Sequence, residues 1–261
     1  MRGTRWMRVG VTALAAATVA VGLAGAADAR SGYRKTTYHL SDYLPLDRDN
    51  AWTFETIVQS RGRVLERAED TWVVTGRERV HGPTCCARMA TEVEMSDVNP
   101  FTPTGRPPRL FLSLSESGLT LYGHDLPGLR HTPTLRLPAV VKIGEDNEEY
   151  TTIVGPIRTD GTRGQEKARP WHCEITVESC DRVIVPAGAF NDCLQLSVVV
   201  RQRDGESPSA MDWRVWLAKD IGPIASVLRC EGYPAASGPV TVQEELVRAT
   251  VRDLHVGEPA E

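Results

Sequence analysis

Apolar residues recur at every second position in many short segments of the chain, a period that is typical of half-buried β-strands. Trp52, Phe54, Thr56 and Val58 fall on one face of such a segment, and Met211–Leu217 repeats the pattern. Helical periodicity is scarce. About a dozen short strands with little helix predict an antiparallel, all-β or β-dominated fold. The predicted strands are Trp52–Gln59, Thr71–Gly76, Met89–Met95, Arg109–Ser115, Leu119–Tyr122, Leu135–Ile143, Tyr150–Val154, Cys173–Val177, Arg182–Val185, Leu194–Arg201, Met211–Leu217, Ile224–Leu228 and Val240–Val251.

Glycine, proline and acidic residues mark the turns between these segments. Glu116–Gly118, Pro186–Gly188 and Gly222–Pro223 each predict a chain reversal, because Pro fixes φ and Gly tolerates positive φ. The acidic run Glu145–Glu149 predicts a solvated hairpin tip. Asp160–Pro170 predicts a linker between two halves of the chain.

The first 29 residues have the pattern of a secretory signal peptide. Three arginines precede the apolar stretch Val9–Ala27, which leads into Ala27-Asp28-Ala29, a small-residue cleavage pattern. A retained N-terminal membrane anchor is the alternative, but the stretch is mostly Ala, Val and Gly and is weakly hydrophobic for a span. The remainder is predicted to be one β-rich domain, residues 30–256, with two halves joined near 158–170 and a disordered tail at 257–261.

Composition and charge narrow the function classes. The chain has 261 residues, with 30 Lys and Arg against 34 Asp and Glu and a net charge of −4. Removal of residues 1–29 takes away three Arg and one Asp and leaves a net charge of −6. Nucleic-acid binding is not expected, since no basic excess is available for phosphates. After processing, no apolar run is long enough to span a membrane, so a periplasmic or secreted protein is predicted.

All six cysteines follow the predicted cleavage site, and an even number of cysteines in an exported chain predicts disulfide bonds. A hairpin turn near Gly188 sets Cys193 opposite Val183 or Ile184, and a bond from Cys193 to Cys180 is therefore not expected. The rest of the connectivity stays open. The disulfide candidates are Cys85, Cys86, Cys173, Cys180, Cys193 and Cys230.

No hydrolase, zinc-protease, P-loop or dinucleotide-binding motif occurs in the sequence. His81 with Cys85 and Cys86, and His172 with Cys173, could alternatively ligate a metal. Zinc sites usually show a Cys-x2-Cys spacing, which is absent, so disulfide cysteines beside surface histidines are favoured. We predict no catalytic residue, no metal and no cofactor.

Four aromatic residues are candidates for contact with an apolar ligand: Trp52, Phe54, Trp213 and Trp216. Trp213 and Trp216 have opposite parity on one predicted strand, so one faces inward and the other outward. An outward aromatic ring could stack on a sugar or line a lipid groove.

Three segments carry a family resemblance. Tyr43-Leu-Pro-Leu followed by Ala51-Trp-Thr-Phe-Glu, then Val185–Leu194, then Trp216–Ile224 resemble, in order and spacing, motifs of exported bacterial proteins of unknown function. These proteins are of the DUF3108-like and TapB-like type. The resemblance spans residues 43–230 and implies the architecture of lipoprotein-carrier half-barrels, which is a curved antiparallel sheet with an apolar concave face.

The strand pattern and the resemblance together predict a non-catalytic binding or scaffold protein of the bacterial envelope. The expected ligand is a lipid or another apolar small molecule, and an envelope protein is an expected partner. Two alternatives stay open. One is an enzyme, a hydrolase or a metal-dependent one, that uses the His and Cys positions. The other is a carbohydrate-binding β-sandwich.

Overall fold

The computed structural model describes residues 37–81, 87–96, 109–124, 135–144, 146–153, 169–202, 210–230 and 239–257. Apart from one 3₁₀ turn at Leu40–Asp42, the regular elements in these ranges are all strands, and the all-β prediction is confirmed. The strands are β1 Thr37–His39, β2 Ala51–Ser60, β3 Arg63–His81, β4 Ala87–Met95, β5 Arg109–Ser115, β6 Gly118–His124, β7 Leu135–Leu137, β8 Val140–Lys142, β9 Asp146–Ile153, β10 Arg169–Val185, β11 Gly188–Gln202, β12 Ala210–Ala218, β13 Gly222–Cys230, β14 Val240–Val251 and β15 Leu254–Val256.

The main sheet is an antiparallel meander in the order β7-β6-β5-β4-β3-β2-β14-β13-β12-β11-β10-β9, with β15 beside β14. The pairing of β2 with β14 joins the first half of the chain to the second. β1 and β8 form a separate two-stranded sheet. The twelve strands curve until the main sheet is nearly closed into a barrel. One seam is left between the described strands β7 and β9, which approach each other without a hydrogen-bonded ladder.

The inward faces of the strands carry the apolar residues whose alternation is visible in the sequence. On β11, Leu194 and Leu196 are buried, and Leu194 lies opposite the buried Leu217 of β12. Across the junction of the two halves, Phe54 of β2 lies opposite Leu246 of β14. Burial of one such side chain contributes about 1.5–3 kcal/mol relative to leaving it exposed. The curved sheet is therefore stabilised chiefly from its inner face.

Strand β3 is longer than the alternation predicted. The sequence indicated a strand from Thr71, whereas β3 begins at Arg63, directly after a tight turn at Arg61 and Gly62. Both turn residues have positive φ, 51° and 75°, which is the conformation of a two-residue hairpin turn. The residues around this tip are exposed, so no alternation of apolar residues marks the strand there.

Strand β10 joins two segments that the sequence separated, Cys173–Val177 and Arg182–Val185. It leads into the predicted hairpin with β11, but the turn itself is Pro186–Ala187. Val185 is the partner of Gly188, so the turn is centred before Gly188 and not on it. A two-residue connection of this kind fixes the register of the whole ladder.

This register corrects one prediction about the cysteines. Cys193 lies directly opposite Cys180 and not opposite Val183 or Ile184, so the prediction that separated the two cysteines is wrong. The reason is the displaced turn, which shifts every partner along β10. Cys180, Cys193 and also Cys173 carry thiols in the structure, and the predicted disulfides are not present among these three.

The acidic run is part of a strand rather than a hairpin tip. β9 begins at Asp146 and pairs with β10, while Glu145 lies outside the described residues. The segment Leu135–Ile143 divides into β7, which pairs with β6, and β8, which pairs with β1. Pro138 follows β7, and the missing N–H of a proline ends a ladder.

Several predictions concern residues outside the described ranges. They are the signal peptide 1–29, the linker residues 158–168, Cys85 and Cys86, and the tail residues 258–261. From Lys35 onward the chain groups into one compact unit. Within the described ranges, no helix combines the length and the hydropathy that crossing a bilayer requires.

Candidate functional site

A small cavity of ≈ 90 Å³ lies inside the sheet, where the inward faces of both halves meet. Its lining comes from β2 to β7 on one side and from β11 to β13 on the other, with two leucines that precede β2. All lining residues are apolar or aromatic. They are Leu44, Leu46, Trp52, Trp72, Val93, Leu110, Leu112, Leu119, Leu121, Leu135, Leu137, Leu196, Val198, Trp213, Val215, Leu217 and Pro223.

The four predicted aromatic residues are divided among three places. Trp52 and Trp213 line the cavity. Phe54 is buried and packs against Trp72, with the ring centroids 5.1 Å apart. Trp216 lies on the other face of β12 from Trp213, where it is partly buried against core residues. The cavity therefore brings together two of the four, and it adds Trp72, which the sequence did not single out.

The Trp52 indole is held in one orientation at the cavity wall. Its Nε1 donates a hydrogen bond to the backbone oxygen of Ile221, with an N···O distance of 2.6 Å. Gly222 follows with φ +96°, and a Cβ at that position would lie 3.1 Å from the Trp52 ring. Glycine is thus required both by the turn and by the close approach of the indole.

Trp72 connects the apolar cavity to a buried carboxylate. Its ring lines the cavity, while its Nε1 donates to Asp70 Oδ2 at 3.2 Å. The other oxygen of Asp70, Oδ1, accepts a hydrogen bond from Ser96 Oγ at 2.7 Å. Asp70 is only 5% exposed. Its carboxylate is therefore fixed at the edge of an otherwise apolar interior.

A second carboxylate lies on β14. Glu244 has Thr56 and Ser226 as its cross-strand partners on the two neighbouring strands, and it accepts a hydrogen bond from Ser226 Oγ. The Thr56 hydroxyl is buried and, among the described residues, has no hydrogen-bond partner. We refer to Asp70, Glu244, Thr56 and Ser226 as the acid cluster.

Both carboxyl groups of the acid cluster have raised pKa values, because burial disfavours their charged forms. Burial raises the pKa of Asp70, and hydrogen bonds from Ser96 and Trp72 partly oppose this. Burial, opposed by the hydrogen bond from Ser226 and reinforced by the nearby charge of Asp70, raises the pKa of Glu244 to about 7. Neither carboxylate forms an ion pair with a described residue.

The acid cluster was not predicted from the sequence, although the alternation of residues along the strands indicates it. Asp70 is on the same face of β3 as Trp72 and Val74, and Val74 is buried. Glu244 stands between Val242 and Leu246 on the inward face of β14. A charged residue on the face of a strand that otherwise carries apolar side chains needs a partner. Two such positions on one sheet could therefore have been identified as a candidate site.

The structure places the proposed metal ligands only in part. Among the described residues, no three of His, Cys, Asp and Glu are grouped so that they could hold a metal ion. His172 and Cys173 are adjacent on β10, and adjacent residues of a strand point to opposite faces. Cys85 and Cys86 lie outside the described ranges, as does the side chain of His81.

No protein-family model and no curated protein matches the chain. A provisionally assigned lipoprotein of Parabacteroides distasonis ATCC 8503 is similar at 11% identity, covering 78% of this chain and 97% of that one, with a TM-score of 0.35. A provisionally assigned exported protein of Bacteroides fragilis NCTC 9343 with a YmcC-like fold is similar at 12% identity, covering 80% of this chain and 98% of that one, with a TM-score of 0.36. At these identities and TM-scores the likeness supports no conclusion about the family or the function of this chain. The resemblance to DUF3108-like and TapB-like proteins stays a prediction.

Proposed function

We propose that the chain is an exported, non-catalytic protein of the bacterial envelope that binds a lipid or another apolar ligand inside its curved sheet. The observation that carries this proposal is the wholly apolar lining of the cavity, which includes Trp52, Trp72 and Trp213. Ligand sites are typically concave and lined by apolar and aromatic side chains. Each Å² of apolar ligand surface that is removed from water on binding contributes about 25 cal/mol to the binding free energy.

The size of the cavity limits what it holds without rearrangement. The cavity measures ≈ 90 Å³. It is smaller than the roughly 150 Å³ of an engineered apolar cavity that binds benzene. A short alkyl group therefore fits directly, whereas a long acyl chain requires lining leucines to move or the sheet to open.

The seam between β7 and β9 is where the sheet opens most easily. Neighbouring strands elsewhere in the described sheet are tied by backbone hydrogen bonds, and the seam has no such ladder to break. Leu135 and Leu137 of β7 line the cavity. Displacement of β7 would therefore lead an alkyl chain from the surface to the cavity without disturbing the junction of β2 with β14.

The test is a series of primary alcohols, from butanol to dodecanol, titrated into the mature protein and followed by tryptophan fluorescence and calorimetry. Affinity is expected to rise by roughly fourfold per added methylene, about 0.8 kcal/mol each, until the available space is filled. Leu196→Trp fills the cavity and should abolish binding, whereas Val64→Trp, at an exposed position, should not. Absence of binding, or equal binding by both variants, would overturn the proposal.

Export is tested separately from binding. In a bacterial host, the full chain is expected in the envelope fraction with its first residue at Arg30, after cleavage behind Ala29. Protein sequencing of the purified product gives the terminus directly. A product that keeps residues 1–29 and stays with the membrane would favour the retained anchor.

The register of β10 and β11 adds a proposal about the cysteines. Cross-strand partners have Cα atoms about 4.5–5.5 Å apart, within the range of a disulfide, so Cys180 and Cys193 can be joined. By exchange with a disulfide-bearing oxidant of the envelope, their sulfurs form the bond, and the oxidant's disulfide takes up two electrons and two protons to become two thiols. Intact mass and peptide mapping of exported protein should find this bond, and finding both thiols alkylated would exclude it.

A further inference from the structure

A row of polar side chains interrupts the apolar interior where the two halves of the sheet meet. Thr56, Glu244 and Ser226 are successive partners across β2, β14 and β13. The partner of Ser226 on β12 is Val215, which lines the cavity. On β3, Asp70 lies opposite Phe54, which is two residues before Thr56 on the same face of β2. The acid cluster and the apolar cavity are therefore adjoining parts of one interior.

Thr56 indicates that this row is incomplete as it stands. The residue is 1% exposed, and its hydroxyl finds no partner in the described part of the chain. An unsatisfied buried polar group costs about 1–3 kcal/mol, and each such group in a folded protein needs an explanation. A ligand that binds between Thr56 and the carboxylates supplies one.

We propose that the acid cluster binds the ammonium head of an amphipathic amine whose alkyl tail lies in the apolar cavity. The inference rests on the proposed function, because it uses the same cavity and names the class of its ligand. A primary ammonium has three N–H donors and no acceptor. The Glu244 carboxylate and the hydroxyl oxygens of its two cross-strand partners, Thr56 and Ser226, offer acceptors for these N–H groups.

The charge of the cluster favours a cation over other heads. Two carboxylates share the site without an ion-pair partner among the described residues, and buried anions are stable when paired with a cation. A carboxylate or phosphate head would meet like charge there. A metal ion is less suited, since the described residues provide no group of three ligands of the kinds that hold metals.

Two residues link the acid cluster to the cavity. Trp72 donates its Nε1 hydrogen to Asp70 and lines the cavity with its ring. A carboxylate has about four lone-pair directions, and those of Asp70 are used by Trp72, by the Ser96 hydroxyl and by the backbone of Thr71 and Ser96, so Asp70 contributes its charge to the head site. An alkyl chain attached to an ammonium at Glu244 would pass Ser226 and its partner Val215 into the cavity.

The experiment compares three ligands of equal length, hexylamine, hexanol and hexanoate, at pH 8 on the mature protein, by calorimetry and tryptophan fluorescence. Hexylammonium is expected to bind at least roughly tenfold tighter than hexanol, as charge-assisted hydrogen bonds allow. Glu244→Gln and Thr56→Val should remove most of that preference and leave hexanol binding within about twofold. Glu245→Gln, the next residue on β14, is the matched control and should keep the preference.

Each other outcome decides against something specific. Equal binding of amine and alcohol by the native chain overturns the amine assignment and leaves the proposed function intact. Tighter binding of hexanoate overturns it as well. Binding of none of the three contradicts the proposed function itself. If Glu244→Gln fails to fold, Asp70→Asn is measured in its place, and an unchanged amine preference in Asp70→Asn and Thr56→Val overturns the inference.

Discussion

The inner faces of β11 and β14 are built differently although both strands curve around the same interior. On β11, Leu194, Leu196 and Val198 are all buried and apolar. On β14 the inward-facing residues are Val242, Glu244 and Leu246. The cross-strand partners of Glu244 are the hydroxyl-bearing residues Thr56 and Ser226. Strict alternation is sufficient to build a wall of the barrel-like sheet. A departure from it costs stability, part of which the hydrogen bond from Ser226 to Glu244 offsets.

The largest effect is expected where the interior is purely apolar. Leu217→Ala removes a side chain that is 1% exposed and should lower the free energy of unfolding by roughly 2–5 kcal/mol, because a cavity replaces lost contacts. Urea denaturation measures it. Val64→Ala at the exposed hairpin tip is the control, expected within about 0.5 kcal/mol. Similar losses in both variants would contradict the packing described for β12.

The next effect is a pH dependence at the polar row. The pKa of Glu244 is 4.5 ordinarily and about 7 in the folded protein, so the unfolded chain loses this proton first as pH rises. The stability that protonated Glu244 contributes is fully present below pH 4.5, is lost as pH rises through about 7, and amounts to about 3 kcal/mol. Burial raises the pKa of Asp70 in the same direction.

The measurement for Glu244 is the difference between native protein and Glu244→Gln in urea denaturation at several pH values. The variant should be increasingly favoured from about pH 5 to pH 7, with no further change at higher pH. Glu66→Gln, at an exposed position of β3, should show no such trend. A flat difference for Glu244→Gln would mean that its carboxylate is hydrated rather than buried.

A smaller effect distinguishes two threonines of β2. Thr56→Val removes the unpartnered hydroxyl and should stabilise the protein by about 1 kcal/mol. Thr53→Val is the matched control. The Thr53 hydroxyl is 3.3 Å from that of Thr71, and its loss should destabilise the protein by a similar amount. Thermal unfolding measures both, and a destabilised Thr56→Val would show that this hydroxyl is already satisfied.

The smallest effect is expected on the outer face. Arg248 pairs with Glu69 at 3.1 Å, with both side chains about a third or more exposed. Exposed ion pairs contribute about 0–1 kcal/mol and are screened by salt. Arg248→Ala should therefore change stability by less than the inner-face variants, and the change should vanish at high salt. A loss of several kcal/mol would place this pair among the structural determinants of the sheet.

The strands and hairpins that depend on local alternation of apolar and polar residues could be predicted from the sequence. The strands around Trp52, Arg109 and Trp213 are found as predicted, because each depends on residues close together in the chain. The hairpins near Pro186 and Gly222 are also present, but their turns are Pro186–Ala187 and Lys219–Ile221, each displaced from the predicted residues. Partners set by distant contacts were not predictable in this way. β8 pairs with β1, and no local pattern indicates that pairing.

The other features that the sequence did not predict depend on strand register and on the burial of polar residues. A shift of the turn before Gly188 was enough to misplace Cys193, because register is a property of the whole ladder and not of the turn residue alone. Glu244 was not identified because a glutamate in a strand is usually solvated, and its partial burial arises only when Thr56 and Ser226 lie beside it. The aromatic candidates were assigned from residue type, whereas their positions relative to the cavity depend on curvature.

The pairing of β2 with β14 has a consequence for how the molecule folds. Gln59 and Gln243, which meet across this ladder, are 184 positions apart in sequence. The loop-closure entropy for such a contact must be met before the contact contributes any stability. The hairpins of each half depend on contacts that are local in the chain, whereas the acid cluster depends on this long-range pairing, because Thr56 and Glu244 are partners across it. A chain interrupted before β14 would therefore lack Glu244 and the ladder that joins the two halves of the sheet.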